Sequence, residues 1–296
     1  MNASYRSAYG AAKYLSLLPA SVFLVALTLL PLANLFALSF FEVSWAGGKA
    51  SWAWEGVGNY LAMGSDRQFL AGIVNTLILV LVATTLQVGI GLALALACSA
   101  LGRRSGFYRT LFLLPILIPG IIIGAIWKLM YNYQFGIINQ ALALLGFGPM
   151  DWLGSPALAL GSVIAVDVWH WTPFSFLLLL AAVESLPTDV SEAAQIDGAS
   201  AWQKFRLVTL PLLWPAIFVT FGFRAVIAFK VFDEIYLLTG GGPGTATEVI
   251  SFTIYQRFFV QDNAGYGAAL SVALIFCVAL LITLALARRS RMEARA

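Results

Sequence analysis

Five residues that can bind a polar solute lie in or beside otherwise apolar stretches of the sequence. Asp167, His170 and Trp171 fall within about one turn of a predicted helix, so their side chains share one side of it. An indole ring such as that of Trp171 can stack on the apolar face of a sugar while Asp167 accepts hydroxyl protons. Arg224 and Lys230 follow in a later stretch and could contact an anionic solute. Since ionisable groups in a membrane are functional candidates, these five residues form a candidate substrate path.

The same charged residues also have structural interpretations. Asp167 and His170 could pair with each other, or they could lie near the outer lipid headgroups. For the basic residues of the later stretch we favour an internal salt-bridge network, which would also include the acidic residues Asp233 and Glu234. Under that interpretation the charges hold helices together and do not contact the solute.

The remaining polar positions suggest packing, and they do not suggest a metal site. Gln87 and Asn75 lie in an apolar stretch and are expected to form hydrogen bonds between helices. His170 is the only histidine of the chain, so no histidine-based metal cluster is expected.

The composition excludes most other classes of protein. Of 296 residues, 60% are hydrophobic and 10% are charged, whereas a soluble domain has roughly 45–50% and about 25%. High hydrophobicity with a net charge of only +3 excludes a disordered chain. The 17 basic residues form no long run, which argues against nucleic-acid binding, and two cysteines cannot frame a disulfide-rich domain. An all-α polytopic membrane protein remains.

Six apolar stretches are long enough to be transmembrane helices, which need about 20 residues each. They are residues 15–38, 76–100, 111–127, 157–183, 212–229 and 266–287, and the shorter stretch 137–145 is predicted to be an interfacial helix. Basic residues are concentrated in the segments that would lie on the same side of the membrane as the N-terminus. This bias predicts that both termini are cytoplasmic. The chain is accordingly divided into a first helix with its external loop (1–71), a core (72–287) and a basic tail (288–296).

The long cytoplasmic loop 184–211 is predicted to form two short helices. Asp189 is placed to cap the first helix, and Gly198 supplies the left-handed residue that ends it. Ala193 and Ala194 leave a small-residue face that another surface could approach closely. Docking into a partner's groove and an ordinary solvated loop are both compatible with these features.

The second short helix has its own start and stop signals. Ser200 and Gln203 have the spacing of a capping box. Pro211 and Pro215 are expected to break the chain before the fifth span.

This loop resembles the EAA loop of the permeases of binding-protein-dependent ABC importers. The matching positions are Glu192, Ala193, Ala194, Asp197, Gly198, Leu210 and Pro211. In that family the loop is the coupling helix, which sits in a cleft of the ATPase subunit. The resemblance departs from the family pattern at Val208, where isoleucine is usual.

A second resemblance lies in the predicted external segment. After the run from Phe232 to Tyr236, a glycine-rich turn consists of Thr239, Gly240, Gly241, Gly242 and Pro243. This turn resembles the carbohydrate branch of the family, and in particular the first permease subunit of maltose and glycerol-3-phosphate importers. The matches cover about residues 75–287. Without them, the glycines would indicate only a sharp turn at the membrane edge.

The resemblance implies a fold, a function and partners. We expect a type I ABC importer permease fold, and a subunit that translocates a sugar or related polyol across a bacterial or archaeal cytoplasmic membrane. The implied partners are a second related permease, two ATPases that bind ATP and Mg, and an extracytoplasmic solute-binding protein, with lipid around the helices. This chain lacks the phosphate-loop motif and should not be an enzyme.

The alternative is an ion-coupled secondary transporter that works alone. Such a protein would be expected to have broken helices with paired carboxylates at mid-membrane, a pattern that we do not find in this sequence.

Overall fold

The computed structural model describes residues 3–46, 49–102 and 105–293, and the side chains of residues 16–43, 51–102 and 105–283. The chain forms two compact units. The first consists of Met1–Ser65 and Ile254–Phe276, and the second of Asp66–Thr253 and Cys277–Ala296. The predicted division at residues 71 and 287 stays a prediction.

The first unit begins with a long helix and a hairpin. Its elements are α1 (Ala3–Leu38), β1 (Phe41–Ala46), β2 (Lys49–Trp54) and α2 (Gly58–Ala62), with the two strands antiparallel. The Asn59 amide donates to the carbonyls of Ser39 (3.0 Å) and Phe41 (3.2 Å), which fixes the turn from α1 into β1. The sequence did not indicate this hairpin.

Aromatic side chains extend from the hairpin. Trp52 and Trp54 are 55% and 69% exposed, as a membrane-interface anchor would be, and the Trp54 ring stacks on Phe40. The side chain of Trp45 lies outside the described residues.

The second unit is helical. Its elements are α3 (Arg67–Ala100), α4 (Ser105–Leu113), α5 (Gly120–Met130), α6 (Ile137–Leu144), α7 (Pro156–Glu184), α8 (Thr188–Ile196), α9 (Ala201–Lys204), α10 (Leu210–Ala228) and α11 (Asp233–Leu238). Two further helices, α12 (Ile250–Tyr255) and α13 (Ala264–Glu293), contribute residues to both units. The predicted helix at 137–145 is present as α6.

Within the described residues, five helices are long and apolar enough to cross a membrane. They are Ser16–Leu38, Arg67–Ala100, Pro156–Glu184, Ala201–Ala228 and Ala264–Thr283. These correspond to five of the six predicted spans, and a bent pair of helices stands where the other was expected.

The third predicted span, over 111–127, is not one continuous helix. The segments Ser105–Leu117 and Gly120–Met130 meet at a bend of 94°. Pro115 and Pro119 lack the backbone N–H that a continuous helix needs, and Ile118 is extended (φ −89°, ψ 126°), as a residue before proline prefers to be. The third span is therefore broken at Pro119, and its second half begins at Gly120.

The helices α3 and α7 pack closely at a single glycine. A Cβ atom added to Gly91 would lie 2.8 Å from the backbone nitrogen of Phe176 and 2.9 Å from the Cβ of Ser175. Phe176 itself is fully buried, in a cluster with Ala95 and Cys98. Such small-residue contacts let membrane helices approach each other closely.

We expect Gly91→Ala to destabilise the α3–α7 contact by about 1–3 kcal/mol, because the added methyl group meets backbone that cannot move aside. Gly89→Ala is the matched control, since a Cβ there has nothing within 4 Å. Thermal denaturation of the purified complex measures both variants. Equal melting temperatures for the two would contradict the packing described.

Candidate functional site

A fully buried ion pair joins two of the spanning helices. Arg224 of α10 donates from Nη2 to Asp167 Oδ2 of α7 at 2.5 Å, and both residues are 0% exposed. From α3, the Gln87 amide donates to the same carboxylate oxygen (2.9 Å) and to the Asp167 carbonyl (2.8 Å). The pair and the amide therefore connect three helices. This agrees with the expected internal salt bridge of Arg224 and with the interhelical hydrogen bonds expected of Gln87.

A second buried pair lies one turn further along α7. His170 Nδ1 is 2.9 Å from Glu234 Oε1 of α11, and both side chains are nearly buried. The alternative that Asp167 and His170 pair with each other is wrong. Each has a separate partner: Asp167 pairs with Arg224 of α10, and His170 pairs with Glu234 of α11.

Trp171 completes this cluster. The guanidinium carbon of Arg224 lies 5.0 Å from the centre of the Trp171 ring, within the range of a cation–π contact. The ring also lies beside His170, at a centroid distance of 5.1 Å. The aromatic ring and both ion pairs therefore form one group.

The five residues of the predicted substrate path border a single cavity of about 320 Å³. The structure thus brings together Asp167, His170, Trp171, Arg224 and Lys230. Neighbours at the same cavity include Gly120, Asp233 and Glu234. Lys230 and Asp233 are exposed, and neither forms an ion pair within the part of the chain that the structure describes. The network expected there is therefore correct for Arg224 and Glu234 but wrong for Lys230 and Asp233.

The broken third span also contributes to this cavity, which was not predicted from the sequence. Gly120, the first residue of α5, borders the cavity, and a Cβ there would lie 2.9 Å from Asp233 Oδ2. The break therefore brings a helix start beside a carboxylate, which the helix dipole favours. The adjacent Pro119 and Gly120 were the available signal in the sequence.

The glycine-rich segment forms a tight turn, as expected. Gly240 and Gly241 have φ values of +59° and +84°, which glycine tolerates. A Cβ on Gly241 would lie 2.5 Å from Glu248 Oε2, so this position also has no room for a side chain. From α3, the Asn75 amide donates to the carbonyls of Thr245 (2.8 Å) and Glu248 (2.9 Å). Asn75 therefore holds this loop and does not bond the middle of another helix.

At the end of this turn, Gly242 and Pro243 are joined by a cis peptide bond. The hydroxyl of Thr247 donates to the Gly242 carbonyl at 2.7 Å, which closes the loop on itself.

The loop at 184–211 contains the two expected short helices, α8 and α9, but α8 begins differently. Its N-cap is Pro187, and Asp189 lies inside the first turn, where no side-chain cap bond forms. Asp189 is therefore not the cap that we predicted, because the helix starts two residues earlier than a cap at Asp189 requires. Glu192 falls in the second turn. Gly198 has a φ of +75°, which confirms the left-handed stop.

The capping box of α9 is confirmed. Ser200 Oγ accepts from the Gln203 N–H (3.3 Å), and Gln203 Oε1 accepts from the Ser200 N–H (2.8 Å).

The prolines after α9 do not break the chain. The helix runs without interruption over Ala201–Ala228, with a π-helical turn at Phe205–Thr209. In this turn the Leu210 N–H bonds to the Phe205 carbonyl, one residue further back than in an α-helix. The wider turn accommodates Pro211, whose missing N–H would leave a carbonyl of an ideal α-helix unpaired. Our expectation of a break is therefore wrong.

The surface of this loop exposes large apolar side chains beside its small ones. Ile196, Trp202 and Leu207 are 86%, 65% and 70% exposed. Glu192 and Ala193 are also exposed.

Comparison with known proteins identifies the family. The family described as the inner membrane component of binding-protein-dependent transport systems matches residues 87–292. The trehalose/maltose transport system permease protein MalF of Thermococcus litoralis is 37% identical, over 92% of this chain and 90% of that protein. The sulfoquinovosyl glycerol transport system permease protein SmoG of Agrobacterium fabrum is 33% identical, over 89% and 86%.

A solved structure shares the fold. A bacterial ABC transporter involved in the import of the acidic polysaccharide alginate contains a chain that matches with a TM-score of 0.84 and 23% identity. The match covers 98% of this chain and 99% of the other. These comparisons favour an importer permease over an ion-coupled secondary transporter, although the third span is broken. The chain belongs to the family of inner membrane components of binding-protein-dependent transport systems, the permease subunits of ABC importers.

Proposed function

We propose that this permease subunit moves a sugar or related polyol across the cytoplasmic membrane of a bacterium or archaeon. The observation that carries the proposal is the cavity beside the buried ion pair, where the ring of Trp171 stands among carboxylate and guanidinium groups. The relatives support this class of solute, since they are named for trehalose/maltose and sulfoquinovosyl glycerol.

The chemistry of the cavity suits a sugar. A sugar that leaves water must replace the hydrogen bonds of its hydroxyl groups, because an unpaired buried hydroxyl costs several kcal/mol. Asp167, Arg224 and Lys230 offer acceptors and donors for those hydroxyls. The Trp171 ring offers a flat apolar surface for the faces of a sugar ring.

The loop that includes α8 and α9 is proposed to couple this movement to ATP. Its exposed apolar side chains beside the small residues Ala193 and Ala194 would fit a cleft on an ATPase subunit. Two such ATPases would bind ATP and Mg and hydrolyse the nucleotide, and this chain would carry no hydrolytic site and no cofactor of its own.

The complete importer would contain further subunits. A second, related permease would enclose the path together with this chain, and an extracytoplasmic solute-binding protein would deliver the sugar. One structural neighbour is an alginate ABC transporter in complex with a pentasaccharide-bound periplasmic protein, which supports the last of these partners. Neither nucleic acid nor a metal has a role in this proposal.

We expect Trp171→Ala to lower sugar uptake roughly three- to tenfold, because one well-packed aromatic contact contributes about 0.5–1.5 kcal/mol. Stimulation of the ATPase by the loaded binding protein should largely persist, since the cytoplasmic loop is unchanged. Both rates are measured in the same proteoliposomes, with labelled trehalose or maltose.

Trp169→Ala is the matched control for this test. Trp169 lies on the same helix but packs on Trp127 (centroids 5.5 Å apart) and does not border the cavity beside the ion pair. Equal uptake by the two variants would place the path elsewhere. A parallel fall in ATPase activity with Trp171→Ala would indicate a structural role instead.

We expect Gly198→Val to weaken the attachment of the ATPase, because a β-branched residue at a φ of +75° costs about 1–2 kcal/mol. A Cβ at Gly198 has nothing within 4 Å, so the effect would come from the backbone alone. Gly198→Asn is the control, since asparagine tolerates this conformation. Co-purification of the ATPase with each variant measures attachment. Normal recovery and transport with Gly198→Val would contradict the coupling role.

A further inference from the structure

The charged groups around the cavity give it no excess of positive charge. Three carboxylates border it, those of Asp167, Asp233 and Glu234, against the two permanent cations Arg224 and Lys230. With all of these ionised, the sum is −1 when His170 is neutral and zero when it is protonated. An anionic solute would therefore enter a site without net attraction for it.

The guanidinium of Arg224, one of the two cations at the cavity, already has an ion-pair partner. Arg224 is 0% exposed and bonds Asp167 through Nη2 at 2.5 Å. An anion could take this guanidinium only by displacing Asp167 and leaving that carboxylate buried without its counter-charge, which is strongly unfavourable.

The ion pair also leaves both kinds of hydrogen-bonding atom unused. Within the described residues, Asp167 Oδ1 and the Nε and Nη1 atoms of Arg224 are buried without a hydrogen-bond partner. These atoms have almost no accessible surface, so a solute reaches them only when the cavity wall moves. A hydroxyl group both donates and accepts hydrogen bonds, so adjacent hydroxyls would then pair with the carboxylate and the guanidinium together. The oxygens of an ionised phosphate or carboxylate only accept hydrogen bonds, so such a group can pair with the guanidinium but not with Asp167 Oδ1.

We propose that this cavity selects an uncharged polyhydroxyl solute over an anionic one, and that the charged groups around it, with the Asp167–Arg224 pair among them, determine this selectivity. The inference rests on the proposed function, which assigns the cavity to the sugar path. It extends that function because relatives with this fold handle both kinds of solute: the named substrate is trehalose/maltose for one and an acidic polysaccharide for another.

The direct test is calorimetric titration of the complete, detergent-solubilised importer without its binding protein. Trehalose and trehalose 6-phosphate are the probes, because they differ by one charged group. 6-O-acetyltrehalose carries an uncharged substituent at the same position and controls for size. We expect the 6-phosphate to bind at least tenfold more weakly than the acetyl ester. Equal or tighter binding of the phosphate would overturn the inference.

Single charge changes at the cavity should move this preference in opposite directions. The preference is the ratio of the dissociation constant of the 6-phosphate to that of the acetyl ester. Asp233→Asn removes an exposed negative charge and should lower this ratio about fivefold. Lys230→Gln removes a positive charge and should raise it. Glu42→Gln makes the same change as Asp233→Asn at an exposed position of the hairpin, and it should leave the preference unchanged. If the two cavity variants do not differ from Glu42→Gln, the cavity charges do not select the solute and the inference fails.

The outcomes also separate this inference from the proposed function. If no sugar or polyol binds or is taken up, trehalose, its esters and maltose included, the sugar path itself is wrong, and the inference fails with it. If neutral and anionic forms bind equally, the sugar path stands and only the selectivity is refuted.

Discussion

A guanidinium group cannot remain inside an apolar helix bundle without a counter-charge, and the pairing of Arg224 with Asp167 is the constraint on which the second unit depends. Removing a charge from water costs several kcal/mol, which an opposite charge and further hydrogen bonds must offset. Here the offset requires α7 and α10 to lie side by side, and Gln87 brings α3 into the same group. In addition to this polar contact, α3 and α7 pack closely against each other at Gly91.

The helix that carries Arg224 connects the ion pair with the loop that contains α8 and α9. Arg224 belongs to a helix that runs without interruption over Ala201–Ala228, from the loop at 184–211 to the cavity. A displacement of the loop would therefore reach the cavity along one element. The π-helical turn at Phe205–Thr209 lets this helix include Pro211 without breaking. The proposed coupling function thus depends on a helix that sequence analysis expected to be interrupted.

Hydropathy predicted six spans, and five of them are continuous helices, because such a helix needs only a long apolar stretch. Local chemistry predicted the stop at Gly198 because the stop depends on neighbouring residues alone. The bend at Pro119 was missed because counting apolar residues ignores backbone hydrogen bonds. The partner of His170 could not be assigned, since Glu234 lies 64 residues further along the chain and only packing brings them together. The site residues were thus predictable as a group from polarity, but their pairing was not.

A double-mutant cycle on the central ion pair tests this interpretation most directly. Asp167→Asn, Arg224→Gln and the double variant would be compared with wild type by thermal denaturation of the purified importer. Each single change leaves a buried charge unpaired and should cost about 3–5 kcal/mol. The double variant leaves none, so it should be more stable than either single variant, with a coupling energy above about 1 kcal/mol. Additive losses, or a neutral Arg224→Gln, would contradict the claim that the pair holds the bundle together.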